Sequence, residues 1–353
     1  MVRKYKVRIL VLPLFILLIC QFLFSACSRS RATIETDARA ALEEAALGST
    51  SSFEYSVING TLYKNDVKVP SDVTYLDLTG CHFGDFSFLE QFKQLEQLNL
   101  SNTDFTDLSC IAKLNELYEL SLSNCTSVSD LEPLTDLTNL RTLLLCGTAV
   151  KDLSPLSNLS NLESLSLRDL STALELSPLF TLPNLRSLQI CVGEEFSELI
   201  RLSQLTKLSI SINEKTNLTP LSTLTKLKSL RIVNNSDHAL DLTPISKLEQ
   251  LNRLCIIGEA VNYIPLSTLS DLEMLTIWSG DNTEFTDIVI LSNMKKLHTL
   301  QISSGTIENI SDMADYELPS LRLLCLTASI SEEDKLLLSN TFSDCDIIIT
   351  RSN

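Results

Sequence analysis

The chain is short of histidine, tryptophan, glycine and proline. Among its 353 residues are 3 His, 1 Trp, 9 Gly and 10 Pro. The histidines (His82, His238, His298) are scattered and no C-x-x-C pair occurs, so no zinc ligand set is expected. Gly and Pro are too few for a collagen-like or low-complexity disordered chain. Positive charge is scarce as well, with 28 Lys and Arg against 44 Asp and Glu and a formal net charge of −16. A phosphate-backbone binder needs a basic footprint, so nucleic acid is not an expected partner. The same balance argues against adsorption of the folded body to an anionic membrane. No G-x-S-x-G, phosphate loop, H-E-x-x-H or paired-carboxylate constellation is present, so neither enzymatic activity nor a cofactor is expected. Asp281-Asn282-Thr283-Glu284 is acidic, but its spacing fits no EF-hand loop, and it reads as a solvated turn.

What the chain has in quantity is leucine, in a recurring phrase. Residues 140–161 read LRTLLLCGTAVKDLSPLSNLSN, and the phrase restarts at Leu162. Its first positions are Val73, Leu95, Leu117, Leu140, Leu162, Leu185, Leu205, Leu227, Leu251, Leu272, Leu297 and Leu321, in steps of 20 to 25 residues. The L-x-x-L-x-[LI] opening alternates, so each repeat contributes one short strand with its fourth and sixth positions buried. Apolar residues at three-residue steps follow, which suits 3-10 turns. Pro133, Pro155, Pro178, Pro220, Pro244 and Pro265 fall at or near one column, where φ is preset for a turn start. This period and opening define a leucine-rich repeat, and the expected fold is an α/β solenoid: a horseshoe with one short parallel strand per repeat and a 3-10 or irregular convex side.

The full phrase, also seen in LTKLSISINEKTNLTPLSTLTK at 205–226, resembles the repeats of the internalin family. The resemblance covers roughly residues 73–345. It implies a bacterial surface protein that binds a host or envelope partner on a concave sheet. The chain departs from the family pattern in its Asn ladder at the ninth position, kept only as Asn213 and Asn235. Cys81, Thr103, Cys125 and Thr148 replace it and can still bond the turn backbone. Leu170, Gly193, Glu259, Gly280 and Gly305 cannot do so in the same way, so the later coils are expected to be less regular.

The N-terminus is different material. Arg3, Lys4, Lys6 and Arg8 precede an apolar run from Ile9 to Phe24, then Ser25-Ala26-Cys27. This reads as an export signal. It resembles a bacterial lipoprotein signal, which implies lipidation at Cys27, although Phe24 stands where Leu is usual. Cleavage without lipid, giving a secreted protein, and an uncleaved anchor are the alternatives; the apolar run is long enough to span a bilayer. No sorting motif or wall-binding module follows the repeats, so a lipid at Cys27 would be the anchor, on the extracellular face of the bacterial membrane. The expected organisation is a signal peptide at 1–26 and a lipid-anchored tether with a short helix at 27–52. A hairpin cap around Asn59-Gly60 occupies 53–72, the solenoid of about 12 repeats 73–330, and a helix–strand cap 331–353.

Beyond Cys20 in the signal and Cys27, the body holds Cys81, Cys110, Cys125, Cys146, Cys191, Cys255, Cys325 and Cys345. Neighbouring strands lie about 4.8 Å apart, so Cys81 and Cys125, two repeats apart in one column, stand about 10 Å from each other. A disulfide needs Cα atoms within about 7 Å, so most of these thiols are expected to be reduced. Cys325 and Cys345 are the pair that this argument leaves open.

The third, fifth and seventh strand positions point away from the core. In the first repeats they are small and polar: Tyr75, Asp77, Thr79, Gln97, Asn99, Ser101, Glu119, Ser121 and Ser123. In the later ones the character changes. Lys207, Arg231 and Arg253 fall on consecutive repeats, beside Val233, Ile257, Met274 and the single tryptophan, Trp278. Arg and aromatic residues are the usual interface anchors. These seven residues are the expected partner-binding patch, unless irregular coils cover it or the seventh position turns inward. The expected function is recognition of a protein, peptide or glycan by a monomer. A structural or regulatory scaffold of the envelope, binding a partner from the same cell, is the alternative.

Overall fold

The computed structural model describes residues 55–65, 67–170, 174–192 and 197–350. The export signal, Cys27 and the tether helix lie outside the described residues. Strands β1 (Tyr55–Ile58) and β2 (Thr61–Lys64) form an antiparallel hairpin across Asn59-Gly60, and β3 (Val67–Lys68) extends it. Both turn residues have positive φ, +49° and +72°, as a two-residue hairpin turn requires. Leu62 of β2 is fully buried and belongs to the same core as the repeats, so the hairpin closes the first coil.

The repeats then contribute β4 (Tyr75–Asp77), β5 (Gln97–Asn99), β6 (Glu119–Ser121), β7 (Thr142–Leu144), β8 (Ser164–Leu167), β9 (Ser187–Val192), β10 (Lys207–Ile212) and β11 (Ser229–Asn234). After a short β12 (Leu240–Asp241) come β13 (Arg253–Ile257), β14 (Ala260–Asn262), β15 (Met274–Phe285), β16 (Thr299–Ile307) and β17 (Leu323–Ser329). The cap helix α1 (Glu332–Thr341) and β18 (Asp346–Thr350) complete the chain's described order. One 13-stranded sheet runs in sequence order from β4 to β18, while β12 and β14 pair separately on the flank. Every neighbouring pair in the large sheet is parallel. The fourth and sixth strand positions, such as Leu143 and Leu145, are completely buried. The three-step apolar positions, such as Val150, Leu153, Leu156 and Leu159, line the other side of the same core.

Three columns of polar residues shape the coils. The eighth position is a left-handed turn in the first five repeats: Gly80, Asn102, Asn124, Gly147 and Asp169 have φ between +58° and +72°. Gly avoids the Cβ clash there and Asn or Asp tolerates it. These repeats accordingly have strands of three or four residues. In repeats six and seven the eighth position becomes Val192 and Ile212, which are buried, and β9 and β10 extend to six residues; β11 does so as well with the buried Asn234 at that position. A β-branched residue keeps the chain extended where Gly or Asn would turn it.

In the second column, an Asx side chain two residues ahead accepts the backbone N–H at the 3-10 start. Asp85, Asp107, Asp130, Asp152, Asn217, Asp241 and Asn262 do this at 2.8–3.0 Å. Proline occupies the first turn of the segments Ser154–Asn158, Ser177–Thr181, Thr219–Thr223, Thr243–Lys247 and Ile264–Thr268. In the third column, Asn139, Asn161 and Asn184 each donate a side-chain hydrogen bond to a carbonyl of the preceding coil at 2.8–3.0 Å.

At the ninth position the hydroxyls of Thr103 and Thr148 donate to the carbonyls of Leu100 and Leu145, and the Cys125 thiol reaches the Leu100 carbonyl at 3.0 Å. Asn235 donates to Asn213 at 3.1 Å. The later coils are irregular, with register shifts after Trp278, around Gly280 and after Ser303. The acidic stretch 281–284 does not form the turn its composition suggests. It lies within β15, where Glu284 pairs with Thr306 of β16. None of the eight body cysteines, all among the described residues, forms a disulfide, Cys325 and Cys345 included.

Candidate concave binding face

The face of the sheet opposite the 3-10 turns carries the third, fifth and seventh positions, and its two halves differ chemically. In the first half the side chains bond to one another. Ser101 donates to Asn99, its hydroxyl lies 2.7 Å from that of Ser121, and Thr79 donates to Asp77 at 2.6 Å. Gln97 bonds Tyr118. Further along, the Cys146 thiol meets the Ser166 hydroxyl at 2.9 Å, and Ser166 reaches Gln189 at 3.3 Å. Several polar side chains of this half are thus bonded within the sheet, while Arg168 at the seventh position of the fifth repeat is exposed.

The later half is different. Lys207 pairs in register with Ser229, and Ser229 with Arg253. Lys207 and Arg253 therefore share the third position two strands apart, about 10 Å at a strand spacing of about 4.8 Å. Arg231 lies on the strand between them at the fifth position, in register with Ser209 and Cys255. Lys207 and Arg253 are exposed and Arg231 is half-buried. The ion pairs of the described residues lie elsewhere: Arg141 with Glu163, Lys295 with Glu317, Lys296 with Asp271, Lys335 with Glu332, and His82 near Asp104. No carboxylate of the described residues pairs with Lys207, Arg231 or Arg253. Beside Arg231, burial raises the pKa of the Cys255 thiol and the guanidinium opposes that rise.

Val233 and Ile257 are register partners, both half-buried, and Met274 pairs with Arg253. Met274 is the exposed apolar member, at 39%. Trp278 requires a correction to its expected accessibility. It sits in the ladder between Ile257 and Ser303 and is only 9% exposed. Its large ring is flanked on both sides in mid-sheet, and the register shifts immediately after it. The structure thus groups Lys207, Arg231 and Arg253 with the Val233, Ile257 and Met274 side chains, and sets Trp278 beneath the accessible surface. No cluster of His, Cys, Asp and Glu among the described residues could hold a metal ion.

This architecture is that of a leucine-rich-repeat protein, and the chain belongs to that family: the leucine-rich repeat region family matches residues 73–333. Among solved structures it is similar to an internalin (inlF) of Listeria monocytogenes, with 28% identity over 79% of this chain and 80% of that one and a TM-score of 0.61. It also matches the functional domain of InlJ from Listeria monocytogenes, which includes a cysteine ladder, at 21% identity, 74% and 55% coverage and a TM-score of 0.45. A leucine-rich-repeat protein of Leptospira interrogans matches at 20% identity over 74% of each chain, with a TM-score of 0.43. No curated protein matches the chain.

Proposed function

We propose that this chain is an exported leucine-rich-repeat binding protein, held at the bacterial cell surface by a lipid on Cys27, that recognises a partner macromolecule on its concave face. The observation that carries the reading is the later half of that face. There Lys207, Arg231 and Arg253 stand without an ion-pair partner among the described residues, next to the exposed Met274. Cations without an ion-pair partner among the described residues, beside apolar side chains on a preformed surface, are the composition of a recognition site. The likeness to an internalin supports the same assignment.

The test compares capture from bacterial and host surface extracts by residues 28–353 and by the Arg253→Glu/Met274→Ser variant. Proteins retained by the wild type and lost by the variant identify the partner, and identical capture by both refutes the site. Export and anchoring are read separately. Labelling with a palmitate analogue should be lost in Cys27→Ala, and an unlabelled wild type refutes the lipid anchor.

A further inference from the structure

Resting on the concave-face reading above, we propose that the ligand is an extended acidic protein segment, with two carboxylates spaced two residues apart and an apolar residue beside them. The geometry sets the spacing. Arg231 is offset from Arg253 by one strand and by two residues along the strand direction. One strand spacing of about 4.8 Å and two residues of about 3.3 Å each place these positions roughly 8 Å apart. Alternate side chains of an extended peptide repeat at about 7 Å, so a Glu-x-Glu or Asp-x-Asp segment can meet both guanidinium groups. Arg231 and Arg253 offer the planar forks that suit carboxylates, and Lys207 adds a third cation one strand further on.

The surroundings favour peptide over polysaccharide. Met274 lies beside Arg253 in the ladder, and Val233 and Ile257 pair two positions past Arg231 on the same face. A sulfated glycan supplies anions but no apolar side chain for this shoulder, whereas a peptide supplies both. Charge reinforces the choice of site. In a chain of net charge −16, acidic partners are repelled over most of the surface, so a local cationic cluster is where one would be accepted. The first half of the face carries a single exposed cation, Arg168, rather than a cluster of three, and several of its other polar side chains serve one another.

The experiment titrates the full chain into a fluorescein-labelled Leu-Glu-Ala-Glu-Leu peptide and into its Leu-Gln-Ala-Gln-Leu counterpart, read by anisotropy, with heparin as a third probe. The Glu peptide should bind at least tenfold more tightly than the Gln peptide, and its binding should weaken as salt is raised. Arg231→Ser/Arg253→Ser, its fold checked by circular dichroism, should lose about tenfold in affinity for it, the worth of about two salt-screened surface ion pairs. Met274→Ser should lose a few-fold with the salt dependence unchanged.

Equal binding of the two peptides, full affinity in the double variant, or no binding up to about 1 mM overturns the proposal. Heparin binding tighter than the peptide and unaffected by Met274→Ser also overturns it, in favour of an anionic glycan. If the peptide fails while Arg253→Glu/Met274→Ser still loses the captured surface partner, only the acidic class is wrong. If that variant keeps the partner, the concave site itself falls.

Discussion

Two glycines in the later coils allow the cost of a close backbone approach to be separated from the cost of a backbone conformation. Gly258 and Gly280 have nearly the same φ, +109° and +104°, which L-residues seldom adopt. Their surroundings differ. A Cβ on Gly280 would meet nothing within 4 Å, whereas one on Gly258 would lie 2.7 Å from both the Cβ and the carbonyl oxygen of Asn234. Neither partner at Gly258 can move easily. Asn234 donates to the His238 carbonyl at 2.8 Å and accepts from Ser236 at 2.7 Å, while the Gly258 N–H is tied to the Trp278 carbonyl at 2.7 Å. Gly280→Ala should therefore cost about 1–2 kcal/mol, the conformational part alone. Gly258→Ala adds overpacking against an immobile backbone, about 1–3 kcal/mol, for a total of about 3 kcal/mol. Urea unfolding followed at Trp278, the chain's single tryptophan, reports the same coils for both variants, and far-ultraviolet circular dichroism reports the whole stack. A Gly258→Ala penalty no larger than that of Gly280→Ala would refute the claim that the approach of Asn234 dictates glycine there.

The Asx column predicts an acid limb of known sign. Hydrogen bonds from Ser109, Ser154 and Thr243 hold Asp107, Asp152 and Asp241 below the ordinary carboxylate pKa. Their stabilisation is present above that ordinary value, about 3.9, and is lost as pH falls through the depressed values. Asn already caps the same turn at Asn217 and Asn262, so the triple Asp→Asn variant should keep the fold at neutral pH and show a flatter fall of urea midpoint below pH about 4; an unchanged acid limb counts against the column. At the ninth position, Thr103→Val leaves the buried Leu100 carbonyl without that hydroxyl and should cost about 1–2 kcal/mol. Thr103→Cys should cost less, since Cys125 already reaches the same carbonyl, and the reverse order in thermal unfolding would refute the role given to this column. The Cys110 thiol should resist alkylation in the native state. Burial first, then the Asp107 charge, pushes the Cys110 thiol up to about 12, and mass spectrometry after iodoacetamide treatment at pH 8 should find it unmodified until urea is added.

Much of the fold is legible in the sequence because a solenoid repeats its requirements. The Leu140–Asn161 phrase alone predicts the strand at Leu143 and Leu145 and the 3-10 turn opening at Pro155. Asn59-Gly60 announces the hairpin cap, and Ser331 the closing helix, which its side chain caps by accepting the Asp334 N–H. The three polar columns were equally present but hidden, since apolar periodicity says nothing about the residues between. Their signals are Gly, Asn or Asp at the eighth position, Asp or Asn two residues before the proline turn, and Asn just ahead of the first leucine. The lengthening of β9 and β10 was also written at the eighth position, where Val192 and Ile212 replace the turn formers; β11 lengthens with Asn234 there, which that rule does not foresee. The stretch 281–284 misleads on composition because Gly280 before it and Glu284 at its end pair with Ser304 and Thr306 of β16, a tertiary partner no local rule supplies, which carries the irregularity between them along as part of β15.

The candidate site was legible only to the level of direction. Period-two alternation correctly sends Lys207, Arg231, Arg253 and Met274 to the face away from the core. It cannot say which outward side chains remain available once their ladder neighbours are in place. Trp278 shows the difference: it has the right parity, yet lies beneath the surface between Ile257 and Ser303. Whether a cation is free is likewise a question of reach across coils. Arg141 finds Glu163 one repeat on, and Lys296 finds Asp271 one repeat back. Arg231, by contrast, has Ser209 and Cys255 as its register neighbours, and neither can neutralise it. Those neighbours, invisible until the register is known, are what leave the Arg231 charge without an ion-pair partner among the described residues of the concave face.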